Sequence, residues 1–272
     1  MCRMLGIQAD IPFDPTPWTR AFAEHCEASP EYQGHGWGVT WWTDHGWRRY
    51  RTLRPIWEDR FVPPPTTGLL VHARSAFRNE GIELDNNMPF VDEELAFAFN
   101  GELHGVRLAV PGDTGAARLF RLLGRFVASG DGDQGAAIRR LDSVVTGRSR
   151  YVRALNLLVA NRRDLIFSTR FGEDEDYFTM HATTLAAGEA GPGMRIVASE
   201  PLRAPRPDAE WRPLPNGVGG TLAPDGSLRL WGDSRHAGDS RPSGDSPHSG
   251  DTRPSANDDG SPASAPAEAS TL

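Results

Sequence analysis

The chain has 272 residues, 38% hydrophobic and 24% charged, enough for one large domain or two small ones with a real core. Its net charge of −7 argues against a nucleic-acid or anionic-membrane partner, because both attract basic surfaces. All 29 basic residues are arginine, which excludes a P-loop lysine, a pyridoxal-phosphate Schiff base and any lysine nucleophile.

Proline-rich turn chemistry precedes a predicted helix that starts at Thr16 or Pro17 and runs through Trp18, Phe22 and Cys26. Short β-rich runs bounded by turn residues follow at 38–42 (GVTWW), 68–72 (GLLVH) and 95–99 (LAFAF). Residues 114–126 carry Ala117, Leu119, Phe120, Leu123 and Phe126 at helical spacing, with Asp113 expected to cap that helix. Further β-rich runs lie at 154–160, 164–169, 195–198, 221–222 and 227–230. Strands outnumber helices and flank them, which predicts a layered α+β domain over residues 1–231. From Gly232 a Gly-Asp-Ser/Thr hexapeptide repeat begins, almost without apolar residues. A repeat that buries nothing cannot offset the entropy of ordering its backbone, so 232–272 is expected to be a disordered tail.

The two cysteines, Cys2 and Cys26, cannot form a disulfide framework. With no apolar leader and no run approaching about 18 apolar residues, a soluble cytoplasmic protein is expected. Among the eight histidines there is no HExxH, and there is no CxxC, so no metal is expected; nor is a cofactor. His25, His45 and His181 read as surface or half-buried residues, and Cys26 as a small buried hydrophobe. The tryptophans at 37, 41, 42 and 47 read as sheet packing before ligand stacking.

Chemistry begins at Cys2. A small residue after an initiator methionine normally leads to trimming of the methionine, after which one residue carries a thiol and a free α-amine. The amine titrates near ~7.7–8.0 and a thiol near ~8.5, so the amine can take the thiol proton at neutral pH. By itself a cysteine at position two also occurs by chance. Asn100–Gly101, after the LAFAF run, offers a side-chain amide and an adjacent backbone N–H for an oxyanion, and glycine lets a ligand approach closely. Taken alone, the dipeptide reads as a plain strand-ending turn, because Asn-Gly is also the strongest hairpin dipeptide. Arg74 suits a substrate carboxylate, with a surface ion pair as its alternative. Asp113 suits an α-ammonium, with the helix cap as its alternative.

The ordered blocks MCRMLG (1–6), GHGWGV (34–39), HARSA (72–76), NNMPF (86–90), FNGEL (99–103) and GDT (112–114) are together specific. With LNLLVANRRDLIFSTR (155–170), VASEPL (197–202) and WRPLPNG (211–217), they resemble the class II glutamine amidotransferases across residues 1–231. The stand-alone members are most similar, among them the γ-glutamyl amidohydrolase of ergothioneine biosynthesis.

The resemblance implies an N-terminal-nucleophile hydrolase fold. This is a four-layer αββα sandwich of two mainly antiparallel sheets, with the N-terminal strand in a central sheet. It makes Cys2 the nucleophile, its own amine the base, and Asn100 with Gly101 the oxyanion hole. Arg74 and Asp113 then bind substrate, with His72 counted beside them and Gly36–Gly38 as framework. The sequence departs from the family at Met88, where histidine is frequent, at His35, where aspartate is common, and at Gly115, where an acid is usual. The substrate implied is a small γ-glutamyl amide. An ammonia-supplying subunit partnered with a separate synthetase is the alternative, and a catalytically silent binding scaffold the third.

Overall fold

The computed structural model describes residues 1–189, 191–202, 205–223 and 225–231. The tail expected at 232–272 lies outside the described residues.

Two antiparallel sheets carry the fold. The seven-stranded sheet has the order β11 (Arg212–Pro213), β9 (His181–Leu185), β10 (Met194–Ala198), β1 (Arg3–Phe13), β4 (Thr66–Ala73), β2 (Trp37–Thr43), β3 (Gly46–Thr52). The six-stranded sheet has the order β13 (Leu228–Trp231), β12 (Gly219–Leu222), β8 (Leu165–Ser168), β7 (Tyr151–Ala160), β6 (Ala96–His104), β5 (Phe90–Val91). Helix α1 (Thr16–Glu27) covers the outer face of the first sheet, and α2 (Gly115–Ser129) with α3 (Gln134–Arg148) covers that of the second. A four-residue helix, α4 (Glu175–Phe178), precedes β9.

Three cores follow from this layering. Leu5, Ile7, Leu69 and Val71 meet Trp18, Phe22 and Cys26 of α1. Met4, Leu70, Ala98, Leu158 and Phe167 fill the space between the sheets. Phe97, Leu155 and Leu157 meet Leu119, Leu123, Ile138 and Leu141 of the two long helices. Both sheets are thus buried on two faces, the condition under which strands lose the polar/apolar alternation of a half-exposed sheet. The order is α–β–β–α, the sandwich the family resemblance implies.

β1 lies in the middle of its sheet, with Leu5 opposite Val71 on one side and Ala198 on the other. Its two buried polar residues both have partners, although Arg3 Nε makes no hydrogen bond among the described residues. Arg3 pairs with Glu200 and donates to the Tyr177 carbonyl at 3.2 Å, and Gln8 donates to the Asn161 carbonyl at 2.5 Å. Burying such groups unpaired would cost several kcal/mol, on the order of 2–7 for a polar group.

Two local expectations are corrected. The helix at 115 is capped by Thr114, whose hydroxyl accepts from the Ala117 N–H at 3.3 Å, and Asp113 is not the cap. The LAFAF strand does not end in a hairpin at Asn100–Gly101. β6 continues to His104, pairing Asn100 with Asn156 and Gly101 with Leu155, and its irregularity comes later, between Glu102 and Leu103. The tryptophans pack as expected: Trp37 is buried, and Trp42 and Trp47 meet edge to face at 5.1 Å.

Candidate active site

Cys2 sits just before β1, at the N-terminal end of this central strand of the seven-stranded sheet. The anchoring of Arg3 by Glu200 and by stacking over the Tyr177 ring, 3.9 Å from its centroid, fixes the strand's first residues and so the direction of Cys2. The Cys2 Sγ lies 3.6 Å from the Ser75 carbonyl oxygen. Burial pushes its thiol up, while the nearby chain-terminal ammonium, the Ser75 backbone and Arg74 work in the opposite direction and Glu31 adds to the rise.

Arg74 follows directly on β4, the strand paired with β1, and is itself buried. Its Nη1 donates to Asn87 Oδ1 at 3.2 Å and its Nη2 to the Gly81 carbonyl at 2.7 Å, so its position is set by the 81–87 loop. Its backbone is held as well, by the Gly36 carbonyl at 2.9 Å and the His35 N–H at 3.1 Å. Gly36 has φ of +106° and a Cβ there would lie 2.3 Å from Asn87 Nδ2, which explains the glycine physically. His35 accepts from the Ala76 N–H through Nδ1 at 2.9 Å. Burial and the Arg74 charge lower its pKa, which keeps that nitrogen an acceptor.

A cavity of about 320 Å³ opens beside Cys2. Cys2, Arg74, Gly101 and Asp113 all line it, brought from four separate segments. Asp113 makes no hydrogen bond or ion pair among the described residues, since Thr114 has taken the capping role. Its loop is held instead by Arg118, whose Nε donates to the Gly112 carbonyl at 2.9 Å. An acid and a base thus face one space, the arrangement that would grip a zwitterion.

Gly101 leaves no room for a side chain, because a Cβ would lie 2.1 Å from the Ala154 carbonyl oxygen. Asn100 is buried just behind the wall, flanked by the lining residues Phe99 and Gly101, and its Oδ1 has no partner among the described residues. His72 is not on the wall. It pairs in register with Met4 and Gly38, fully buried in the seven-stranded sheet. Burial foremost, with the Arg74 charge, lowers its pKa to about 3, so the ring is neutral. The Phe99 backbone works against this, although neither ring nitrogen has a partner of hydrogen-bond geometry among the described residues.

The residue pattern did not single out Asn87, Arg118, Glu102, Gln33 or Tyr177. Asn87 lies in the NNMPF block, but nothing in a single sequence says that it reaches Arg74. Glu102 is buried on the cavity wall and held by Arg153 at 3.0 Å and His104 at 2.6 Å. Among the described residues no cluster of three or more His, Cys, Asp or Glu side chains is placed to hold a metal ion. No described helix is long and apolar enough to cross a membrane.

No protein-family model matches the chain. No curated protein matches it either. Solved structures do. The chain is similar in fold to a glutamine phosphoribosylpyrophosphate amidotransferase from B. subtilis, with TM-score 0.59 and 17% identity over 85% of this chain. It spans only about half of that protein, 49% of its length. It also resembles a glutamine aminotransferase class-II domain protein from Silicibacter pomeroyi (TM-score 0.54, 17% identity). A third neighbour is a predicted glutamine amidotransferase from Pseudomonas aeruginosa (TM-score 0.57, 16% identity). Here 85% and 84% of this chain align with 99% of each of those two. At such identities the shared property is the fold, with its two antiparallel sheets between helices.

Proposed function

We propose that the protein is an amidohydrolase of the class II glutamine amidotransferase type, cleaving the side-chain amide of a γ-glutamyl compound with Cys2 as nucleophile. The observation that carries this reading is the meeting of Cys2, Arg74, Gly101 and Asp113, which has no partner among the described residues, around one cavity, with Asn100 directly behind its wall. Arg74 would hold the substrate α-carboxylate and Asp113 its α-ammonium, leaving the δ-carbonyl toward Cys2.

In this structure Met1 is joined to Cys2. Its removal turns the Cys2 nitrogen into a primary amine, which takes the thiol proton. The thiolate attacks the δ-carbonyl, and Asn100 Nδ2 with the Gly101 N–H stabilises the tetrahedral oxyanion. The carbon–nitrogen bond breaks as the ammonium returns its proton to the departing nitrogen, leaving a thioester. Water, deprotonated by the same amine, then releases glutamate. Removing one oxyanion donor typically costs about 10²–10³ in turnover, and Asn100→Ala is expected to lose that much.

The test is mass spectrometry of the purified protein with and without a glutamine-like diazoketone. Loss of Met1 and one adduct, on Cys2, are expected. Retention of Met1 in protein that releases glutamate would falsify the proposed base, and equal turnover by Cys2→Ala would remove the nucleophile.

A further inference from the structure

Met1 is gripped at three points. Its ammonium pairs with the Glu31 carboxylate. Its carbonyl oxygen accepts from Gln33 Nε2 and from the Tyr177 hydroxyl, each at 2.5 Å. Its side chain packs against Ala154, Phe171 and Phe178, leaving the residue only 9% exposed. Gln33 is fully buried, and its Oε1 has no partner among the described residues. A buried amide oxygen left unpaired keeps its desolvation penalty until a ligand supplies a donor.

These contacts surround Met1, which the peptide bond joins to the Cys2 nitrogen, and Met1 lines the same cavity as Cys2, Arg74 and Asp113. In the proposed reaction that nitrogen hands its proton to the leaving amine, which must come within roughly 2.6–3.2 Å of it. Whatever the leaving nitrogen carries is then directed into the surroundings that Met1 fills here.

Resting on the hydrolase reading above, we propose that Glu31, Gln33, Tyr177 and the Ala154–Phe171–Phe178 wall form the subsite for the amine half of the substrate. The substrate is accordingly a γ-glutamyl amide whose amine carries an apolar body and a cation. The cation pairs with Glu31, the apolar body lies on the aromatic wall, and any carbonyl or hydroxyl on it meets Gln33 and Tyr177. Burial raises the Tyr177 phenol well above its ordinary range, so it stays a donor throughout the working pH range. Free glutamine is the poor substrate, because ammonia reaches none of these groups.

The experiment uses full-length protein whose first residue is verified by mass to be Cys2. Glutamate release is measured from glutamine, γ-glutamyl n-butylamide and γ-glutamyl 4-aminobutylamide, with wild type and Glu31→Gln. The butylamide should exceed glutamine in kcat/KM by about tenfold or more, since single methylenes in apolar pockets discriminate at that level. The aminobutylamide should exceed the butylamide by a further factor of about five, modest because Glu31 is partly exposed. Glu31→Gln should bring the last two substrates level. Cys2 labelled by the diazoketone, with glutamine turned over as fast as both amides, would overturn the subsite and leave the hydrolase reading intact. An unchanged amide ratio in Glu31→Gln would do the same. No labelling and no glutamate from any compound would remove both.

Discussion

His72 offers a quantitative test of where the framework ends and the substrate site begins. Its ring is fully buried between the sheets and its pKa is lowered to about 3 from the ordinary 6.5. The unfolded chain therefore binds a proton at His72 between about pH 6.5 and 3 while the native chain does not, and stability rises with pH across that window. The whole gap corresponds to roughly 5 kcal/mol, lost only as the pH nears 3, and about 2 kcal/mol of it goes between pH 7.5 and pH 5. Urea unfolding of wild type and His72→Leu at those two pH values isolates the effect. Whatever the substitution does to packing appears at both pH values and cancels. Wild type should lose about 2 kcal/mol more than the variant on going to pH 5. Equal losses in the two proteins would refute the reasoning and show that His72 is solvated or paired when charged. As a framework group, its replacement should also leave KM within about twofold, in contrast to the wall residues, because His72 neither lines the cavity nor hydrogen-bonds a described residue that does.

The capping correction makes a paired prediction: Thr114→Ala should cost about 1 kcal/mol in denaturant unfolding, whereas Asp113→Asn should stay within about 0.5 kcal/mol. Asp113→Asn should instead raise KM for the γ-glutamyl substrate about tenfold, and the reverse pattern would return the cap to Asp113. Gly101→Ala forces a Cβ to within 2.1 Å of the Ala154 carbonyl oxygen, so thermal unfolding should show a loss of about 1–3 kcal/mol along with lost turnover. A variant as stable as wild type would mean that β6 and β7 separate more easily than their pairing indicates. Asn87→Ala removes the acceptor that holds Arg74 Nη1, and steady-state kinetics should show KM about tenfold higher with kcat nearly unchanged. A fall in kcat alone would place Arg74 closer to the reacting atoms than proposed.

Local pattern was enough for α1, for the strands at 38–42, 68–72 and 95–99, and for the helix after Thr114. In each, turn residues bracket a run with recognisable period or β-branched and aromatic content. β1 was legible only through the family motifs. It is buried on both faces, so RMLGIQADIPF shows no alternation, and Arg3 and Gln8 break its apolar run. α3 carries Gly135 and Gly147 and buries Ala137, Ile138, Leu141 and Val145, a stripe too small to stand out in QGAAIRRLDSVVTGR. Its one clear signal is Asp133, which caps it by accepting from the Ala136 N–H at 2.8 Å.

Residue types and their spacing determined which groups could do chemistry: a cysteine at position two, an Asn-Gly pair after a strand, an arginine after another and an acid before a helix. Only the tertiary structure decided which of them share a space. Strand pairing brings Arg74 beside Cys2, the 81–87 loop aims it, and the cap at Thr114 releases Asp113 toward the cavity. His72, two residues from Arg74, faces the inter-sheet core instead, because it still lies within β4, whereas Arg74 lies just past the end of that strand and is held by Asn87 and Gly81. The contacts of Glu31, Gln33 and Tyr177 around Met1 join residues as much as 176 positions apart, and such proximity follows from packing that no local pattern encodes.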